Sequence, residues 1–190
     1  MRPGDDVDHY RRGVTANNQG IEALGKENFE LAIALFKTSI ESCRSATDHE
    51  GEITALNNLA EAMFKQWASN HPAVLDWERE LTGGLLLDGI ECLAEDFELC
   101  IAHGDLEGAG LTINDFTRRL VNHAGLSSQE AAFGLATFTS TYVVPKMALH
   151  DIRELPGPQG LPSLQFRQKI QNRSFFSTWL HRLNPFGLLA

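Results

Sequence analysis

Three residues near position 100 have the types and spacing of metal ligands. Cys100 and His103 are separated by two residues, and Asp105 follows closely. A zinc site needs a second pair of such ligands. The sequence supplies none, because Cys92 is eight residues away and the other histidines are scattered. A buried cysteine beside a histidine at a helix end accounts for the same residues, so we expect no metal and no cofactor.

Nucleophilic catalysis by cysteine would require an exposed thiol beside a base. Cys43 instead shares a helical spacing with Phe36 and Ile40, which predicts a buried thiol. The sequence contains no nucleophile elbow, phosphate-binding loop or dinucleotide fingerprint. The neighbouring acidic residues Glu95 and Asp96 indicate a solvated helix face. We therefore predict no catalytic residues and a protein that is not an enzyme.

The charge of the 190 residues is unevenly distributed. Residues 157–190 contain four basic residues and no acidic residue, whereas residues 1–156 contain the other 12 basic and all 25 acidic residues. The overall charge of −9 argues against non-specific nucleic-acid binding. Three cysteines, an odd number, and an N-terminus without the apolar run of a signal peptide favour a reducing compartment. We expect a cytoplasmic protein.

Apolar residues recur mainly at helical spacing, which predicts an all-α fold. Asn28 and Asp48 are candidate N-caps, Gly104 and Asp105 form a turn, and Pro145 kinks or shortens the last helix of the domain. The sequence PGPQGLP at 156–162 is a linker between a helical domain at 1–155 and an amphipathic C-terminal helix and tail at 163–190. The predicted helices of the domain are 6–25, 28–45, 48–70, 74–81, 85–103, 106–123 and 127–150.

Residues 17–40 combine small and aromatic residues at spacings that suit two closely packed helices. The matching positions are Gly20, Ala23, Phe29, Ala32, Phe36 and Ser39. This pattern resembles one tetratricopeptide repeat (TPR), in which Phe29 and Phe36 would fill the space between the helices. TALNNLAEAMFKQW at 54–67 resembles the start of a second repeat, and GDLEGAGLTINDF at 104–116 departs further because Phe116 stands at a small-residue position. The resemblance implies antiparallel helical hairpins stacked as a short, TPR-like right-handed solenoid of seven or eight helices.

The resemblance also implies a partner-binding surface. The first helix of each TPR pair lines the concave face, where asparagine amides suit an extended peptide backbone because they both donate and accept. An ordinary polar surface explains the same residues. Ile21 stands where chaperone-tail-binding relatives have asparagine, so we do not expect that activity. The predicted partner-binding residues are Asn17, Asn18, Glu22, Asn57, Asn58, Glu61 and Lys65.

The segment 163–190 combines aromatic, aliphatic and basic residues. Such a helix can bind its own chain, a second copy, another protein or an anionic membrane. Because its exposed apolar residues would form a large patch, we favour docking on its own chain or on a second copy. The residues predicted to make this contact are Phe175, Phe176, Trp179, Leu180, Leu183, Arg173 and Arg182.

These observations predict a non-enzymatic adaptor or scaffold that binds a protein or peptide partner through a concave helical face, and no nucleic acid. One alternative is an oligomeric or membrane-associated accessory subunit that acts through the C-terminal helix. The other alternative is a small α-helical enzyme.

Overall fold

A computed structural model of the protein describes residues 5–70, 84–123, 134–136, 138–150, 154–155 and 164–165. Five long helices account for most of the described residues, followed by a short π-helical segment, a short helix and one pair of two-residue strands. The helices are α1 (Asp5–Gly25), α2 (Phe29–Ala46), α3 (His49–Asn70), α4 (Leu85–Ala102), α5 (Leu106–Asn122) and α6 (Val144–Leu149); the π-helical turn is Thr139–Val143; the antiparallel strands are β1 (Glu154–Leu155) and β2 (Leu164–Gln165).

Three turns of the same design connect these helices. In each turn one residue adopts a positive φ and the next residue caps the following helix with its side chain. The N–H of the capping residue donates to the carbonyl five residues earlier, at 2.8–3.0 Å, which closes the preceding helix. The positive-φ residues are Glu27, Thr47 and Gly104, and the capping residues are Asn28, Asp48 and Asp105.

These turns are so short that consecutive helices pack against each other in antiparallel pairs. Contacts join α1 to α2, α2 to α3, α3 to α4 and α4 to α5, and weaker contacts join α1 to α3 and α3 to α5. Small residues make the closest approach, because a Cβ atom on Gly20 would lie 2.5 Å from Phe36 Cε1. Phe36 is fully buried as predicted, and Phe29 is partly buried.

The buried apolar side chains form two clusters that share helix α3. The first cluster lies between α1, α2 and α3 and includes Phe36, Leu56 and Met63. The second lies between α3, α4, α5 and residues 138–147 and includes Phe64 and Phe97. Each cluster covers one side of α3, so that helix is buried on both sides.

The π-helical turn precedes Pro145, which cannot donate a backbone hydrogen bond. The N–H of Val144 donates to the carbonyl of Thr139, five residues earlier, instead of to the usual fourth residue. A single wider turn of this kind is a common adjustment inside helices. The chain is helical on both sides of the turn, so Pro145 does not end the helix.

The packed helices confirm the all-α prediction for the described residues, except for the strand pair. Leu164 and Gln165 are extended, so the predicted C-terminal helix does not include them. The rest of that helix, the helix predicted at 74–81 and the predicted start of the last domain helix at 127 lie outside the described residues. Within the described ranges no helix is both long and apolar enough to cross a membrane.

Candidate functional site

Helices α1, α3 and α5 form one face, which polar side chains hold together. We call it the odd-helix face. At its first junction, Asn58 on α3 donates from Nδ2 to Asn17 Oδ1 on α1, at 3.0 Å. Both residues belong to the predicted partner-binding set, and their contact is one of the features that align α1 with α3.

A buried arginine connects α3 to α5. The side chain of Arg119 is 2% exposed, and its Nη2 donates to Asn57 Oδ1 at 2.5 Å. Its Nε lies 3.0 Å from Glu61 Oε2, and Asp115 approaches to 3.7 Å. A guanidinium remains charged at all ordinary pH values, so it must be paired where it is buried. Arg119 therefore ties α5 to α3 through Asn57 and Glu61.

Glu61 is the centre of this cluster of charges. Its Oε1 accepts a hydrogen bond from His123 Nε2 at 3.0 Å and lies 3.4 Å from Lys65 Nζ. Burial raises the pKa of Glu61, but the hydrogen bond from His123 and the charge of Arg119 outweigh burial and lower the pKa to about 2. Glu61 is therefore ionised at neutral pH; it accepts a hydrogen bond from His123 and lies within ion-pair distance of Arg119 and Lys65.

A second carboxylate, Asp96 on α4, lies behind the odd-helix face and is only 1% exposed. It accepts hydrogen bonds from Asn57 Nδ2 and Thr112 Oγ1, both at 3.2 Å, and from Cys100 Sγ at 3.5 Å. Burial raises the pKa of Asp96 to about 6, although these hydrogen bonds oppose the effect. The prediction that Asp96 belongs to a solvated helix face is wrong, because its side chain points between α3, α4 and α5.

The structure brings five of the seven predicted partner-binding residues together. These five are Asn17, Asn57, Asn58, Glu61 and Lys65. Asn18 is exposed on α1, and Glu22 pairs with Lys26 on the same helix at 2.6 Å. Both polar atoms of Asn57 are used inside the protein, by Asp96 and Arg119, so this amide positions Arg119 instead of facing solvent.

Exposed apolar side chains on α1 lie next to this polar network. Val7, Tyr10, Val14 and Ile21 are between 41% and 51% exposed. Their spacings of three, four and seven residues place them in one row along the helix, and Asn17 belongs to the same row. We call these four apolar residues the α1 row. The helical spacing of these residues is visible in the sequence, but the partner-binding residues predicted on α1 were all polar.

A surface cleft of 360 Å³ lies where the C-terminal ends of α1, α3 and α5 meet the first turn of α2. Leu24, Phe29 and Ala68 form its apolar part, and Lys65 and His123 bring the charged cluster to its edge. Gly25, Glu27 and Asn122 complete the lining. The lining thus combines apolar side chains with charged and polar ones, a combination that occurs in ligand-binding clefts.

The candidate metal ligands have separate partners. The ring of His103 stacks on that of His49, with ring centroids 3.9 Å apart, while Cys100 Sγ donates to Asp96. Among the described residues, no group of three or more potential ligands comes together. Burial raises the pKa of the Cys43 thiol and raises that of Cys92 to about 12, which makes both poor nucleophiles at neutral pH.

A repeated sequence surrounds two of the three helix turns, and the sequence analysis missed it. Cys-x-x-x-x-Asp-x-Glu-Gly occurs at 43–51 and again at 100–108. In both copies the aspartate caps a helix, and the glycine leaves room for the cysteine: a Cβ atom on Gly51 or Gly108 would lie 2.8 or 3.1 Å from that sulfur. Comparing the turns, instead of the helix faces, would have identified this repeat.

No protein-family model, curated protein or solved structure matches this chain. The residues predicted to make contacts at 173–183 lie outside the described residues.

Proposed function

We propose that this protein is an adaptor that binds a segment of another protein along the odd-helix face. The α1 row is the main support for this proposal, because protein partners commonly cover a row of exposed apolar side chains on one helix. The cleft at the C-terminal end of the same face offers a place for one anchoring side chain of the partner.

The proposal includes a TPR-like arrangement, in which the antiparallel hairpins continue as a short right-handed solenoid and α1, α3 and α5 line its inner side. The three equivalent turns and the α1–α3 and α3–α5 contacts support this arrangement. Hydrogen bonds between Asn17 and Asn58 and between Asn57 and Arg119 connect α1 to α3 and α3 to α5. A preformed face of this kind binds with a smaller loss of conformational entropy than a mobile one.

The charges of the face define the class of segment that it would bind. Helices α1, α3 and α5 together contain nine acidic and five basic residues. A complementary segment therefore carries basic residues, and its apolar residues recur every three or four positions so that they can pack along the α1 row.

A matched pair of substitutions tests the proposal. Ile21 on the odd-helix face and Leu31 on α2 are each 48% exposed. We expect Ile21→Asp to weaken partner binding by about tenfold or more, because one buried aliphatic side chain contributes about 1.5–3 kcal/mol. Leu31→Asp should leave binding unchanged.

Quantitative affinity purification with the wild-type protein would identify the partner, and calorimetry on the purified pair would give the dissociation constants. Circular dichroism would verify that both variants are folded. Equal loss of affinity in the two variants, or no loss in either, would contradict the assignment of binding to the odd-helix face.

A further inference from the structure

The C-terminal segment leaves the described structure beside the odd-helix face. Strand β2, Leu164–Gln165, pairs with β1, and Cα atoms of β1 lie within 8 Å of Cα atoms of α5. Residues 166–190 therefore start near α5, which is one helix of the face.

These 25 residues are long enough to cross the whole face. A helix of that length extends about 37 Å. Packed helices lie about 8–10 Å apart, so α1 lies about 20 Å from α5. The segment can reach the α1 row whether it is helical or extended.

The composition of residues 166–190 is complementary to the face. They contain Arg167, Lys169, Arg173 and Arg182 and no acidic residue, whereas helices α1, α3 and α5 together contain nine acidic and five basic residues. Their apolar residues at 175, 176, 179, 180 and 183 recur at helical spacing. Left uncovered, this stripe and the α1 row would each expose apolar surface to water.

Helix α4 is the other acidic surface near the strand pair, but it is a poorer match. Its Glu95 and Glu98 are already paired, with Arg44 and Lys146 respectively. No residue of α4 is among the large apolar side chains exposed in the described part of the chain. Exposed acidic residues lie on both helices, including Asp88 and Glu91 of α4, but large exposed apolar side chains lie on α1 and not on α4, which favours the odd-helix face.

We infer that residues 166–190 bind the odd-helix face of the same molecule and cover the α1 row, so that an external partner must displace them. This inference rests on the proposed function, because it assigns an internal ligand to the same face. The C-terminal segment then acts as a competitor, and the apparent dissociation constant of the partner equals its intrinsic value divided by the fraction of molecules whose face is free.

Photo-cross-linking in the full-length protein tests the inference. The photoreactive residue p-benzoylphenylalanine replaces Trp179, and the cross-linked protein is digested with trypsin. The tryptic peptide 13–26 contains Val14 and Ile21, whereas the peptide 27–37 covers the start of α2. We expect cross-links to 13–26 and none to 27–37.

Two comparisons make the result decisive. Equal mixing of ¹⁴N- and ¹⁵N-labelled protein distinguishes contacts within a molecule, which keep one label, from contacts between copies. Val14→Asp combined with Ile21→Asp should lower the yield of the cross-link to α1 by about tenfold, because two aliphatic contacts are replaced by carboxylates. Leu31→Asp should leave the yield unchanged.

Cross-links found only between differently labelled molecules would overturn the inference and assign the face to a second copy. Cross-links that fragmentation of the tryptic peptide 80–118 localises to α4, or none to the odd-helix face, would also overturn it. If the cross-link to α1 is absent while Ile21→Asp still abolishes partner binding, the inference fails and the proposed function stands. If the cross-link is present but Ile21→Asp does not change partner binding, the face serves only the C-terminal segment and the proposed function fails.

Discussion

Replacing Asp96 by asparagine should stabilise the protein relative to the wild type increasingly as the pH rises from about 4 to about 7. The pKa of Asp96 is about 6 in the folded protein, compared with an ordinary value of 3.8. Between these values the folded state retains a proton that the unfolded state has released. Wild-type stability at this site is therefore highest below the lower value and decreases as the pH rises through the window.

The size of the effect follows from the difference between the two pKa values. A shift of about 2 pKa units corresponds to about 3 kcal/mol. The amide of asparagine has no charge to desolvate, and its oxygen can still accept from Asn57 and Thr112. The difference in unfolding free energy between Asp96→Asn and the wild type should thus grow by about 3 kcal/mol across the window, whatever its value at low pH.

Urea unfolding followed by circular dichroism at several pH values between about 4 and 7 measures this difference. The titration of all other groups cancels when the variant is compared with the wild type at each pH. Glu91→Gln, at an exposed position of the same helix, is the control and should give a constant difference. A constant difference for Asp96→Asn as well would refute the claim that burial raises the pKa of Asp96.

Two further substitutions test the turns and the buried arginine. Thr47→Gly should raise the unfolding free energy by about 0.5–1 kcal/mol, because Thr47 has a φ of 56° that glycine adopts without strain. The control Thr54→Gly, inside α3, should lower the unfolding free energy. A change of the same sign in both variants would contradict this reasoning. Arg119→Met should lower the unfolding free energy by about 1–3 kcal/mol, because it leaves Asn57 Oδ1 without its donor and removes a buried charge beside Glu61, which keeps His123 and Lys65. The exposed neighbour Arg118 is the control, since Arg118→Met should cost less than about 1 kcal/mol, and similar losses in urea unfolding of both variants would argue against the buried pair.

The ends of the first five helices could be predicted because local signals determine them. Asn28, Asp48 and Asp105 cap their helices through side-chain hydrogen bonds that span only three residues. Glycine, proline and capping residues are visible in the sequence without knowledge of the tertiary fold. The predicted bounds accordingly agree with those of α1, α2, α3, α4 and α5 to within one residue at each end.

The interior of the candidate site could not be predicted in the same way. Arg119 is buried because Asn57 and Glu61, about sixty positions earlier, supply its partners. Asp96 is buried for a similar reason, and its sequence neighbour Glu95 is exposed. Helical periodicity predicts which residues share a helix face. It does not predict which polar residues form hydrogen bonds or ion pairs with residues of another helix.

Phe116 shows that tertiary packing can accommodate a large side chain where a sequence pattern calls for a small one. A phenylalanine at this position departs from the small residue that the resemblance to TPR proteins calls for. In the structure its ring stacks on Phe138, with centroids 4.4 Å apart, and is nearly fully buried. The larger side chain fills the space beneath the following helical segment, which the sequence pattern did not indicate.

Helix α3 determines whether parts of the protein can unfold separately. Met63 and Phe64 are consecutive residues of α3, but they belong to different apolar clusters. Helix α3 therefore packs against both halves of the molecule, and neither half can separate without exposing apolar surface of α3. Loss of either cluster exposes apolar surface of α3 and weakens the packing of the remaining cluster. The chain from α1 to α5 should therefore unfold as a single cooperative unit, and proteolytic fragments that end between α2 and α4 should not retain a folded half.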